Sequence, residues 1–164
     1  LMVVKSTGPD VLVVADKNGN KFHVVAPSTA ALVGSVQLDH PPVSITVSSG
    51  GHWAYVLEQD GVANESYIQA INVHAVQQHL PTAATPKFKV SHPAQQLVLV
   101  ESGRRLYVSF TGDMNQPVSG GVAIVDISEE ACEDILWRHL EGCPHCEMPN
   151  CVVLATITEY KVGA

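Results

Sequence analysis

The sequence predicts an all-β fold assembled from repeated four-stranded antiparallel sheets, and three observations predict it. Apolar residues fall in short alternating runs bounded by Gly, Pro, Asn and Asp, as in "DVLVVADKNGNKFHVV", where Asn18-Gly19 offers the positive φ of a tight hairpin turn. The segment "SVQLDHPPVSITVSSGGHWAYV" (35–56) lines up without gaps on "KFKVSHPAQQLVLVESGRRLYV" (87–108) at a shift of 52 residues. A further strand follows each such pair, "SYIQAINV" and "GVAIVDI", with "KFHVVAP" in the same place near the start. Four-stranded units that recur every ~40–50 residues bury their faces only against their neighbours, which is the pattern of β-propeller blades.

The anchors of the repeat are ordered. His40-Pro41 falls on His92-Pro93, Gly51 on Gly103, and Tyr55-Val56 on Tyr107-Val108, with Val36, Leu38, Ile45 and Val47 on Phe88, Val90, Leu97 and Leu99. An earlier copy places Met2, Val4 and Gly8 on Ile45, Val47 and Gly51, and "VLVVAD" on "AYVLEQ". The expected units run over about 1–41, 42–93 and 94–157, within a single segment that fills 1–164. Three blades do not close a ring that typically needs four to eight. The chain is therefore expected to belong to a longer protein or to assemble with copies of itself. The first is preferred, because the chain opens inside an innermost strand and ends just after a fourth one, and end blades expose strand edges.

The third unit departs from the pattern after "GVAIVDI". It inserts "SEEACEDILWRHLEGCPHCEMPN" before "CVVLATITEY", and residues 128–151 are expected to form a short helix and a cysteine-rich loop between the third and fourth strands of that blade. Ser128 reads as an N-cap with Glu129 and Glu130 in the first turn, Ala131, Ile135 and Leu140 as a modest apolar face, and Gly142 as the stop. Cys143-Pro-His-Cys146 has a spacing that lets two thiolates reach one tetrahedral ion. Cys151 and Cys132 supply the other corners of a structural zinc site, with His145 or His139 as substitutes. The same four cysteines equally make two disulfides, which would place the protein outside the cytoplasm or on the cell surface. A thioredoxin-like redox role lacks its βαβ surroundings. Either leading arrangement is structural.

The order of a Pro, an apolar strand, a Gly-containing turn, "LYV" and a strand like "GVAIVDI" resembles the YVTN-type propeller repeat of bacterial and archaeal surface and periplasmic proteins, over nearly all of residues 1–127. The Trp-Asp signature of the better-known propeller repeat is missing, since Ala54 follows Trp53. The resemblance implies a binding or scaffolding module, without catalysis, for protein or surface-polymer partners. The alternative is a lactonase-like propeller hydrolase with a metal in the central channel, held partly by His40 and His92.

Other function classes find less support in the residues. Nine Lys and Arg against sixteen Asp and Glu give a formal charge of −7 with no basic stripe, which argues against nucleic acid as a partner. No apolar run approaches the ~20 residues that span a bilayer. His40 and His92 precede innermost strands at equivalent points; a His-Pro turn that caps the strand, its imidazole bonded to a backbone carbonyl, is preferred to a ligand role, because repeated positions in such arrays maintain packing. Asp60 and Asp113 stand near loop tips without the dense oxygen spacing of a calcium loop. Asn64-Glu65-Ser66 matches a glycosylation sequon, which carries meaning only in a secretory context. No nucleophile elbow, phosphate-binding Gly loop or His-Glu-x-x-His motif is present.

Overall fold

A computed structural model describes residues 2–4, 11–48, 50–81, 83–90, 93–100, 105–110, 120–127 and 158–160. Within them the chain forms three four-stranded antiparallel sheets in succession. The first holds β1 (Met2–Val4), β2 (Val11–Asp16), β3 (Lys21–Ala26) and β4 (Ala31–Gln37), in that order. The second holds β5 (Pro42–Val47), β6 (Trp53–Asp60), β7 (Glu65–Asn72) and β8 (Phe88–Val90). The third holds β9 (Ala94–Leu99), β10 (Arg105–Phe110), β11 (Gly121–Asp126) and β12 (Thr158–Tyr160). The predicted helix and cysteine loop of 128–151 lie outside the described residues.

Period-two alternation gives each sheet two faces, and the sheets stack front to back. In β6, Trp53, Tyr55 and Leu57 pack with Leu97, Leu106, Val108, Ala123 and Val125 of the third sheet. Ala54 and Val56, pointing the other way, pack with Val11, Val13, Phe22 and Val24 of the first. β6 is therefore buried on both sides over its first six residues, as a central strand must be. Two serine hydroxyls cross the second seam. The Ser66 hydroxyl oxygen accepts the Ala94 amide at 2.8 Å and that of Ser44 accepts the Leu97 amide at 3.2 Å, so β9 is held on the second sheet by polar contacts as well as by packing.

This packing corrects the alignment of the first unit. Placing "VLVVAD" on "AYVLEQ" would turn Val11 and Val13 to the rear, like Ala54 and Val56, yet they face forward into the second sheet and are 2% and 0% exposed. The hairpins give the true register. Asp16 pairs with Lys21 and Asp60 with Glu65 across four-residue loops, and each loop ends in an asparagine of positive φ, Asn20 at 49° and Asn64 at 57°. Val11 and Val13 thus correspond to Tyr55 and Leu57, one residue from the sequence alignment. A slip of one residue exchanges the two faces of a strand, so burial detects what apolar similarity does not.

The first hairpin also differs from the expected tight turn. Strand pairing stops at Asp16–Lys21, and in the longer loop the left-handed conformation falls on Asn20, with neither Asn18 nor Gly19 at positive φ. The Asp16 carboxylate accepts the Asn18 amide at 3.0 Å, as the short side chain of an Asx turn does.

A short helix not anticipated from sequence, α1 (Val73–Gln77), follows β7 in the second sheet. Asn72 caps it, its side chain accepting the Ala75 amide at 2.9 Å. Val73, Ala75 and Val76 are buried and carry the chain onto β4 of the first sheet, where Gly34 leaves room for the Val76 carbonyl and side chain. Beyond α1 the chain returns along β7: the Asn72 amide donates to the Ala83 carbonyl at 2.7 Å and the Thr85 amide to that of Ala70 at 2.9 Å, before Pro86 interrupts the edge and β8 resumes it.

Candidate functional site

One position in the repeated packing is charged where its counterpart is apolar. Glu58 lies on the rear face of β6, in the seam between the first and second sheets, and is 0% exposed. At the shift of 52 residues its counterpart is Phe110, which packs as a partly buried hydrophobe in the second seam. The hairpin register sets Val14 in the same place on the first sheet. The propeller architecture is thus satisfied by apolar residues there, and the carboxylate of Glu58 needs a separate account.

Its partners come from three elements. Glu58 Oε2 accepts the His40 backbone amide at 2.9 Å, from the connector between β4 and β5, and Lys87 Nζ at 2.7 Å, from the approach to β8. Lys87 Nζ also meets Asp39 Oδ2 at 3.0 Å, so one ammonium is clamped between a buried and an exposed carboxylate. The Gln59 amide donates to the Pro41 carbonyl at 3.0 Å and fixes the same connector one residue further on. Glu58 Oε1 has no hydrogen-bond partner among the described residues.

A second layer of polar groups lies on top of this clamp. The His40 ring stacks on Tyr67 with centroids 5.1 Å apart and planes 13° from parallel, and His40 Nδ1 is 4.0 Å from Asp60 Oδ2. Tyr67 donates its hydroxyl to Glu65 Oε2 at 2.9 Å, and Lys89 Nζ meets Glu65 Oε1 at 2.6 Å. Hydrogen bonding to Lys87, then its charge, holds the Asp39 carboxyl below its usual value. Lys89, followed by Tyr67, does the same for Glu65, and Glu65 in return raises Lys89 and Tyr67. The amides of Ala63 and Val62 lower Asp60, donating to its Oδ1 at 3.1 and 2.8 Å. The rim therefore sets the lowered carboxyls of Asp39, Asp60 and Glu65 around the buried Glu58 and the two lysines, an arrangement that holds loops and presents charge.

Of the residues singled out from sequence, His40 and Asp60 come together at this rim. Among the described residues no backbone carbonyl receives the His40 ring in the way the capping reading supposed; the ring stacks on Tyr67, and the His40 amide is what meets Glu58. Asp60 caps its own hairpin, the role of a solvated turn residue. Among the described residues no group of three or more His, Cys, Asp or Glu is close enough to hold a metal ion. His92, Asp113, His139, His145 and the four cysteines Cys132, Cys143, Cys146 and Cys151 lie outside the described residues. Sequence reasoning missed Glu58, Lys87 and Tyr67. The signal available was the pairing of Glu58 with Phe110 in the 52-residue alignment, a charge opposite an aromatic in a buried strand.

Neither a family model nor a curated protein matches the chain. Solved structures do. Hydrazine synthase of Kuenenia stuttgartiensis is similar over 77% of this chain and 32% of its own, with 16% identity and a TM-score of 0.59. The β-propeller domain of Cps50 (Swd1) from Myceliophteria thermophila is similar over 81% of this chain and 44% of its own, with 11% identity and a TM-score of 0.47. This chain spans about a third of the length of the hydrazine synthase chain, and at such identity the likeness is one of fold. With three four-stranded antiparallel sheets stacked front to back in chain order, the described residues form a partial β-propeller, three blades in succession.

Proposed function

We propose that these blades form a non-catalytic binding or scaffolding module of YVTN-like repeats, which engages a protein or surface polymer through the rim at the seam of the first and second blades. One observation carries the reading: Glu58, fully buried with Lys87, where the repeat elsewhere uses Phe110. Departures from a repeat's own packing rule gather at functional sites, because packing alone would not retain them. Around Glu58 the rim offers Asp39, His40, Asp60 and Tyr67, and the hairpin beside them ends in Val62, which is 99% exposed. An apolar tip ringed by fixed charges suits contact with a macromolecule, the charges selecting the partner and the tip supplying apolar contact. Among the described residues no helix is long and apolar enough to cross a membrane.

A photo-crosslinking residue at position 62 tests the reading, with position 78 on the opposite rim as control. The expected result in cells of the source organism is a discrete adduct from 62, none from 78, and its loss when Asp60 and His40 are replaced by alanine. Equal labelling from both positions, or none from 62, overturns it.

The four cysteines enter the proposal as a structural tie for residues 128–151. A native mass raised by one zinc ion and lost on denaturation assigns them to metal. A denatured mass about 4 Da below the reduced value assigns them to two disulfides and to an exported protein.

A further inference from the structure

The loop between β2 and β3 carries a pair of residues that the rim does not use. Asn18 is followed by Gly19, and no other asparagine of the sequence precedes a glycine. Counted from Asp16 and Asp60, which open the two four-residue loops, Asn18 stands where Val62 does, and both Asn18 and Gly19 are exposed. The two loops are held differently. In the second, the Asp60 carboxylate accepts the amides of Val62 and Ala63. In the first, the Asp16 carboxylate accepts the Asn18 amide, but the Gly19 amide, the counterpart of that of Ala63, has no hydrogen-bond partner among the described residues, and neither has the Asn18 side chain.

A free backbone nitrogen beside an uncommitted carboxamide is a reactive arrangement, and glycine sharpens it because no Cβ hinders the approach of its nitrogen to the preceding side chain. Once hydroxide takes its proton, the Gly19 nitrogen attacks Asn18 Cγ. The new N–C bond closes a succinimide ring, the Cγ–N bond of the carboxamide breaks, and the departing nitrogen takes a proton from water to leave as ammonia, which regenerates the hydroxide. Water then opens the ring. Addition at Cγ leaves aspartate at position 18; addition at the Asn18 backbone carbonyl leaves isoaspartate, whose main chain runs through Cγ and is longer by a carbon. Water is the co-reactant, and nothing is oxidised or reduced.

The connector to the rim hangs on this loop. The Gly19 and Asn20 carbonyls accept Gln37 Nε2 at 3.4 and 2.9 Å, and the Asn20 carbonyl also accepts the Leu38 amide at 2.8 Å. Leu38 is 2% exposed, and Asp39 and His40 follow it in the chain. We propose that Asn18 is a site of spontaneous covalent modification, deamidating through the Gly19 nitrogen, and that the lengthened isoaspartyl backbone releases the latch on Gln37 and Leu38 that seats Asp39 and His40. The second loop is protected from the same chemistry. Its tip residue is Val62, and in its Asp60-Gly61 pair the Ala63 and Val62 amides hold the Asp60 carboxyl below its usual value, as the carboxylate, which resists attack by the Gly61 nitrogen.

Peptide mapping and hydrogen exchange on the 164-residue chain, aged in its folded state at mildly alkaline pH, test this. The peptide holding residue 18 should gain about 1 Da as the amide becomes an acid, with isoaspartate the major product. Conversion should run within about threefold of the rate in the urea-denatured chain, as for a segment whose opening costs little. Asn18→Gln, which would have to close a larger ring, should abolish the gain, and Asn20 and Asn64 should stay unchanged over the same period. In the aged protein the Leu38 amide should lose its protection while that of Val56 is kept, and Trp53, 8% exposed, reports by its fluorescence that the fold persists. Asn18→Asp, which carries the new charge on a backbone of normal length, should keep the Leu38 protection. Conversion more than about tenfold slower in the folded than in the denatured chain, or equal conversion at Asn20 and Asn64, overturns the site. Isoaspartate at 18 with Leu38 exchange unchanged, or loss of protection in Asn18→Asp as well, overturns the latch.

Discussion

At the scale of single residues, Glu58 and Lys87 show how a propeller seam accommodates charge. Lys87 is held by two carboxylates, and Glu58 has left water altogether, so the pair is stable only while both members are present. Lys87→Met should cost about 3–5 kcal/mol in denaturant unfolding, because it strands a buried carboxylate. The double variant Glu58→Phe with Lys87→Met should recover most of that loss by copying the second seam, where Phe110 occupies the same place. A double variant as unstable as Lys87→Met alone would show that the pair does more than fill the seam. Asp39 gives the pH dependence. Its folded carboxyl lies below the ordinary 3.8, so its contribution is present above the unfolded value and lost as pH falls through the folded one. Asp39→Asn should therefore lower stability by less than ~1 kcal/mol above pH ~5, as expected for a carboxylate 74% exposed, and by nothing below the carboxylate range. Urea titrations of both proteins across that range would reveal a pH-independent difference if another group were responsible.

At the scale of elements, the connections between strands do as much as the strands. The helix α1 exists because Asn72 ends β7 and caps the next turn, and because Val73 and Val76 have somewhere to bury. That place is on β4, at a residue without a side chain. A Cβ added to Gly34 would run into the Val76 carbonyl, a backbone atom that cannot swing aside. Gly34→Ala should destabilise the chain by about 1–3 kcal/mol and loosen α1 first, which amide exchange at Gln78 and His79 would detect as early loss of protection. Uniform loss across β3 and β4 would instead place the damage in the sheet. The hairpins carry a related lesson. Two loops with an aspartate at the start and an asparagine at the end specify the register of the first two blades better than the apolar strands between them, since apolar residues on the two faces of β2 look alike.

At the scale of the whole molecule, the stacked sheets share two seams of different chemistry: the second is packed around Leu97, Leu106, Val108 and Phe110, while the first joins Val11, Val13, Ala54 and Val56 and carries the buried Glu58 with Lys87 at its rim.

The all-β class, the repeat of about fifty residues and the third strands of all three blades were legible in the sequence, because period-two alternation and turn residues are local signals that survive in any tertiary setting. Hairpin loop length and the facing of β2 were not, since apolar runs on both faces leave a one-residue slip invisible until a neighbour buries one side. The helix α1 escaped for the same reason: "VHAVQ" has little helical pattern, and its burial against Gly34 comes from the first blade. The rim at the first seam was half visible. His40 and Asp60 stood out by residue type, but Glu58 looked like the polar end of a strand, and its partner Lys87 lies 29 residues away. Only the stacking of blade on blade buries that carboxylate, draws Lys87 across β7 to neutralise it, and turns an ordinary pair of surface charges into the one charged seam of the described molecule.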